Sequence, residues 1–174
     1  MIDIKKVQSE LKEKLHCNLH ALPRLEKIVL NIGLGKIRES KDAFAEAERT
    51  LAIITGQKPV TTKAKRAISG FKIRQGDPVG LMVTLRSRKM LSFIERLVKI
   101  ALPRIRDFRG LPKDNFDSQG NYTVAFREHI IFPEVPYDKV EHLHGLQATF
   151  KIRNSNPEKS RVLLETFGAP FEKE

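Results

Sequence analysis

Apolar residues recur along this chain with two periods, and the switches between them mark its elements. Ile4, Val7, Leu11 and Leu15 fall on one side of a helix that Asp3 can cap and Pro23 bars from continuing. From Arg24 to Ile32 the period is two: Ile28, Leu30 and Ile32 line one face of a strand, and Lys27, Val29 and Asn31 the other. The glycines of Asn31-Ile-Gly33-Leu-Gly35-Lys36 end that strand. Ser40 as cap, Asp42 in the first turn and the stripe Phe44, Ala47, Leu51, Ile54 predict a second helix closed by Gly56. Pro59 to Arg66 sets Thr61, Lys63 and Lys65 against Thr62, Ala64 and Arg66, a polar strand suited to a sheet edge. Residues 69–80, with three glycines and a proline around Phe71, Lys72, Ile73 and Arg74, read as an extended, mobile loop.

Beyond it, Leu81, Val83 and Leu85 alternate with Met82, Thr84 and Arg86. Ser87 is the expected cap of a third helix with Met90, Ile94, Leu97, Val98 and Ala101 inward and Pro103 past its end. Residues 104–120 form a basic connection punctuated by Gly110, Pro112 and Gly120, before Tyr122, Val124 and Phe126 alternate with Asn121, Thr123 and Arg127. Pro133 and Pro136 break the next segment. The last strand sets Leu146, Ala148, Phe150 and Ile152 against Gln147, Thr149, Lys151 and Arg153, and Asn156, Pro157 and Gly168 bracket a final helix over 156–168. Four helical stripes and five half-apolar strands predict an α+β two-layer sandwich. The sheet is expected to be mainly antiparallel, with helices on one face and the other face open. The 174 residues suit a single domain, 1–174, with its core sheet over about 24–153.

Alternation predicts the open face: Lys27, Asn31, Thr84, Arg86, Asn121, Thr123, Arg127, Gln147, Thr149, Lys151 and Arg153, a set without a carboxylate. Solvated sheet faces are ordinarily polar, so charge decides the reading. Between Gly56 and Gly110 there are fourteen basic and three acidic residues, which gives +11, the net charge of the whole chain. The other eighteen basic and eighteen acidic residues cancel. A one-signed block in a balanced chain is the footprint of a polyanion-binding surface, most simply nucleic acid. Lys58, Lys63, Lys65 and Arg66 carry that charge beside the predicted edge strand. Tyr122, Phe126 and Phe150 fall on the apolar side, so the face is expected to use hydrogen bonds and phosphate contacts rather than base stacking.

Catalytic signals fail. In Gly33-Leu-Gly35-Lys36, Arg38 stands where a dinucleotide fingerprint needs glycine and Ile37 where a phosphate loop needs Ser or Thr. His142-Leu-His144 with Glu141 and His129 completes no tetrahedral metal set, and these histidines read as surface or hydrogen-bonded side chains. No metal or other cofactor is expected. Lone Cys17 suits a reducing compartment, and no apolar run is long enough for a membrane span. The rival classes are an RNA-processing enzyme, which would show metal-dependent turnover, and a protein-interaction module, whose binding would resist salt.

Five blocks carry a family resemblance: Pro23-Arg-Leu-Glu-Lys-Ile-Val-Leu-Asn31-Ile-Gly-Leu-Gly35, Thr55-Gly-Gln57-Lys-Pro59, Gly70-Phe-Lys-Ile-Arg-Gln-Gly76 with Pro78, Ala101-Leu-Pro-Arg-Ile-Arg-Asp-Phe-Arg-Gly110, and Ile130-Ile-Phe-Pro-Glu134. In this order they resemble large-subunit ribosomal protein five, the 5S rRNA-binding family. The resemblance implies a non-enzymatic, cytoplasmic ribosomal protein that joins 5S rRNA to 23S rRNA in the central protuberance beside other proteins there. It also implies contacts with the P-site tRNA elbow and with small-subunit ribosomal protein thirteen. The 5S-contacting positions resemble Asn31, Gln57, Thr84 and Arg86, and the loop carrying Lys72, Arg74 and Gln75 resembles the element that reaches tRNA.

Overall fold

The computed structural model describes residues 4–35, 40–135 and 142–172. The expected cap Asp3, the segment with Lys36, Ile37 and Arg38, and Pro136 and Glu141 lie outside the described residues. Helix α1 (Ile4–Leu15), strand β1 (Arg24–Gly33) and helix α2 (Lys41–Thr55) come first, followed by β2 (Val60–Lys63), β3 (Pro78–Leu85) and α3 (Ser87–Arg96). Strands β4 (Tyr122–Phe126) and β5 (Leu146–Arg153) and helix α4 (Pro157–Thr166) complete the order. The strands form one mainly antiparallel sheet ordered β2-β3-β1-β5-β4, so the fold is the expected α+β sandwich.

The chain divides into two compact units, residues 1–29, 85–124 and 148–174 in the first and residues 30–84 and 125–147 in the second. In the second unit, Ser40 Oγ accepts from the Ala43 N–H and Gly56, at φ 61°, closes α2 by donating to the Ala52 carbonyl. Both helix ends therefore follow from their sequence signals. The stripe Ala47, Leu51 and Ile54 is fully buried, as are Leu30, Ile32 and Leu81. The edge strand β2 pairs antiparallel with β3, Val60 opposite Met82 and Thr62 opposite Gly80, with an irregularity between Thr62 and Lys63.

In the first unit, Asn156 Oδ1 accepts from Lys159 N–H at 2.8 Å and Pro157 opens α4. Strand β5 buries Ala148, Phe150 and Ile152, and Leu163 and Leu164 of α4 are buried too. One expectation fails here. Ser87 does not cap α3: it sits inside the helix at φ 49°, and the capping position is Arg86, whose side chain makes no cap bond. The extended backbone that a serine cap needs is taken by Arg86, at φ −137°. The expected stripe Met90, Ile94, Leu97 and Ala101 is buried, and beyond α3 the chain runs on through a π-turn over Leu97–Ala101 and a 3₁₀ turn holding Pro103. Among the described residues no helix is long and apolar enough to cross a membrane.

Candidate nucleic-acid interface

In the second unit the site is built around a glycine. Gly80 of β3 is buried, and a Cβ placed on it would lie 2.9 Å from the Ile32 carbonyl oxygen, 2.9 Å from Thr62 Oγ1 and 3.6 Å from Asn31 Oδ1. Asn31 and Thr62 therefore converge above bare backbone, with Asn31 exposed and Thr62 half-buried. Thr62 is a member that sequence reasoning missed; its pairing with Gly80 would have shown it, but a pairing register is not readable from alternation alone. Gln57 is drawn to the end of β3, where its Nε2 donates to the Thr84 carbonyl at 3.2 Å. Its backbone is held too, because buried Thr55 Oγ1 accepts from Gln57 N–H at 3.3 Å. Two predicted residues, Gln57 and Thr84, are thus joined, and the amide keeps its Oε1 for an outside donor.

Lys58, Lys63, Lys65 and Arg66 are all exposed around the β2 edge. The segment after β2, expected as an extended, mobile loop, carries regular backbone pairing. Ala64 N–H donates to the Asp77 carbonyl, Gly76 N–H to the Ala64 carbonyl, and Ile68 and Ile73 exchange both backbone bonds, so β2 and β3 extend into a hairpin arm. Its tip is a 3₁₀ turn, Ser69–Phe71, ended by Lys72 at φ 52°. Asp77 Oδ2 accepts from Arg74 N–H at 2.8 Å and closes the base. Lys72, Arg74 and Gln75 are exposed, and so is Phe71, at 72%. The exposed aromatic at the tip was also missed; it stands inside a glycine-bracketed turn, which is the available signal.

The first unit holds the other predicted residues. Lys27, Thr149 and Lys151 are half-buried and Arg86 is exposed. Thr149 and Thr123 hydroxyls lie 3.3 Å apart, and Lys151 Nζ donates to Gln119 Oε1 at 3.1 Å. Arg86 Nη1 approaches Glu26 Oε1 at 3.8 Å, so a carboxylate reaches one residue of the predicted acid-free set. Asn121 does not belong on the open face. It is 9% exposed, donates through Nδ2 to Asp117 Oδ2 at 2.6 Å, and accepts the Ile152 N–H at 3.2 Å. It precedes β4, so strand alternation does not govern it. Tyr122, Phe126 and Phe150 are buried as expected.

The histidines take the hydrogen-bonded alternative: His129 Nδ1 lies 3.2 Å from the His144 carbonyl oxygen and His144 Nδ1 3.2 Å from that of His142. His129 is fully buried and His144 nearly so, and their rings stack at 3.9 Å with 15° between planes. Burial pushes both imidazoles below their usual range, His144 to about 4 with the neighbouring His129 adding to the effect. Parallel rings aim their lone pairs alongside one another instead of at a common point, and among the described residues no group of three His, Cys, Asp or Glu can hold a metal ion.

Comparison with known proteins decides the family. The family model for the C-terminus of ribosomal protein L5 matches residues 78–171, and the model described as ribosomal protein L5 matches residues 18–74. The chain belongs to the ribosomal protein L5 family. It is 49% identical over 168 residues to the large ribosomal subunit protein uL5 of Synechococcus sp. (strain JA-2-3B'a(2-13)), covering 97% of this chain and 92% of that protein. The uL5 protein of Trichodesmium erythraeum (strain IMS101) is 49% identical over 154 residues, 88% of this chain and 85% of its own. That of Acaryochloris marina (strain MBIC 11017) is 47% identical over 168 residues, 97% of this chain and 91% of its own. The protein is accordingly an rRNA-binding structural constituent of the large ribosomal subunit, cytoplasmic in bacteria, and not an enzyme.

Proposed function

We propose that this protein binds 5S rRNA and joins it to 23S rRNA in the central protuberance. Asn31, Gln57, Thr84 and Arg86 contact the 5S rRNA, and Lys27, Lys58, Lys63, Lys65, Arg66, Thr149 and Lys151 hold its phosphates. The observation that carries this reading is the convergence of Asn31 and Thr62 over Gly80, with the Gln57 amide fastened to the Thr84 carbonyl nearby in the chain. Neutral donors and acceptors over bare backbone suit 2′-hydroxyls and base edges, while the exposed lysines around them suit phosphates. The hairpin arm, with Lys72, Arg74 and Gln75 outward, is the element that reaches the P-site tRNA elbow. Small-subunit ribosomal protein thirteen and the other proteins of the protuberance are its protein neighbours.

The test is the double variant Asn31→Ala with Thr84→Ala, measured by filter binding to 5S rRNA. At about 1–3 kcal/mol for each polar group left without its partner, affinity falls by more than tenfold. Unchanged affinity would remove both side chains from the interface.

A further inference from the structure

We propose that a cleft at the end of β5 binds one unpaired guanine of an RNA strand. It rests on the RNA-binding reading above and adds a base-specific site to it. The cleft, about 480 Å³, is lined by Glu26, Gln119, Lys151, Arg153 and Asn154 among others, within the roughly 300–1,000 Å³ of clefts that hold a small ligand.

Its composition is odd for a phosphate site. Lys151 and Arg153 favour an anion, yet Glu26 repels one. The Glu26–Arg86 pair does not explain the carboxylate, because at 3.8 Å with side chains 40% and 55% exposed it contributes little to stability. What a carboxylate in a cationic cleft recognises is an edge with two adjacent N–H donors, and among the four bases only guanine offers one, through N1–H and N2–H. Adenine and cytosine set one amino group beside a ring nitrogen that a carboxylate repels, and uracil flanks one N–H with two carbonyls.

The remaining residues fit the rest of the base. Lys151 Nζ occupies Gln119 Oε1 at 3.1 Å, which leaves the Gln119 amide nitrogen to donate to guanine O6 or N7. The exposed Arg153 guanidinium supplies a plane for stacking. Asn154, at φ 56°, is fixed through its Nδ2 bond to the His20 carbonyl at 3.0 Å, which holds the far wall in place.

The first arm of the test uses uridine hexaribonucleotides carrying G, A, C or inosine at one central position, read by fluorescence anisotropy at low salt. The wild type binds the G hexamer about tenfold tighter than the A, C or inosine hexamers, inosine lacking the N2 donor. Glu26→Gln, which keeps the size of the side chain, brings the four within about twofold, and Gln119→Leu loses affinity for G while leaving A unchanged. Equal wild-type affinity for all four, or a guanine preference that survives Glu26→Gln, overturns the proposal. This arm is decided whether or not 5S rRNA is the natural ligand. The second arm probes guanine N1 and N2 with kethoxal in the complex with 5S rRNA. One guanine protected by the wild type and reactive with Glu26→Gln, within an otherwise unchanged footprint, supports the site. A complex that forms without any such guanine overturns the site and leaves the 5S reading standing.

Discussion

Gly80→Ala tests the close approach on which the second unit's polar cluster depends. The new methyl carbon would sit 2.9 Å from the Ile32 carbonyl oxygen and 2.9 Å from Thr62 Oγ1, against a comfortable C···O contact of about 3.3 Å. One or both neighbours must therefore retreat by about 0.4 Å. Thr62 can rotate its hydroxyl aside; Ile32 offers backbone, which a side-chain rotation cannot relieve. Forcing a methyl into a filled site costs about 1–3 kcal/mol, and about 2 kcal/mol is expected here. At 2–4 °C per kcal/mol for a chain of this length, the melting temperature falls by about 4–8 °C. Adding Thr62→Ala to Gly80→Ala relieves one of the two clashes and recovers part of the loss, while Thr62→Ala alone shifts stability by no more than about 0.5 kcal/mol. The assay is thermal unfolding by circular dichroism, with 5S rRNA affinity measured on the same samples. Affinity should fall too, since Thr62, which shares the site with Asn31, is pushed aside. A Gly80→Ala protein that melts within about 1 °C of wild type would show that the strands yield freely, and the account of Gly80 as a floor for Asn31 and Thr62 would be wrong.

Asn121→Ala leaves the buried Ile152 N–H without its acceptor and should cost about 1–3 kcal/mol in urea unfolding; an unchanged midpoint would mean that backbone rearrangement replaces the bond. The buried His129–His144 stack predicts acid lability. Both imidazoles titrate below their unfolded value of about 6.5, against the upward pull of Glu46 and, on His129, of Glu128 as well. The unfolded state therefore binds more protons, and the contribution present above about pH 6.5 is lost as pH falls toward 4. His144→Phe should flatten the pH dependence of stability between about 6.5 and 4 by about 2–3 kcal/mol, and an unaltered slope would clear the stack of this role. RNA affinity should fall with salt at a log–log slope of about −4 to −6 if six to eight phosphates are neutralised; a flat response would point to a protein partner instead.

Sequence alone disclosed the elements whose cause is local. The alternation in β1, β3 and β5, the Ser40 and Asn156 caps and the Gly56 stop depend on residues within a turn or two of one another, and each appears as expected. What escaped depends on distant partners. Asn121 reads as an exposed strand neighbour until Ile152, 31 residues away, is seen to donate to it. His129 and His144 read equally as surface or hydrogen-bonded histidines, because nothing in their own neighbourhoods shows the stack that buries them. The segment 69–80 has the composition of a loop, and only the Ile68–Ile73 bridge and the Asp77 clasp make it an arm. In the candidate interface, alternation found Asn31 and Thr84 but not Thr62, which becomes visible only when β2 is set in register against Gly80.

The three carboxylates of the basic stretch between Gly56 and Gly110 explain why its charge surplus survives folding. If Asp77, Glu95 and Asp107 lay among the cations at random, each would weaken the surrounding potential where a phosphate must dock. Asp77 is instead turned onto backbone, accepting from Arg74 N–H at 2.8 Å, while Lys72 and Arg74 of the arm are exposed. Glu95 pairs with Lys99 one helical turn away at 2.8 Å, a local contact. Asp107 occupies a left-handed position at φ 52°, a conformation that Asp tolerates better than most side chains. Asp77 thus serves backbone geometry, and Glu95 pairs close by in its own stretch. Arg86 is where this separation breaks down, because Glu26, from outside the stretch, comes within 3.8 Å of it. An acid that approaches a cation of the predicted RNA-contacting set works against phosphate binding unless it has a ligand of its own, and a guanine edge is the RNA group whose chemistry supplies one.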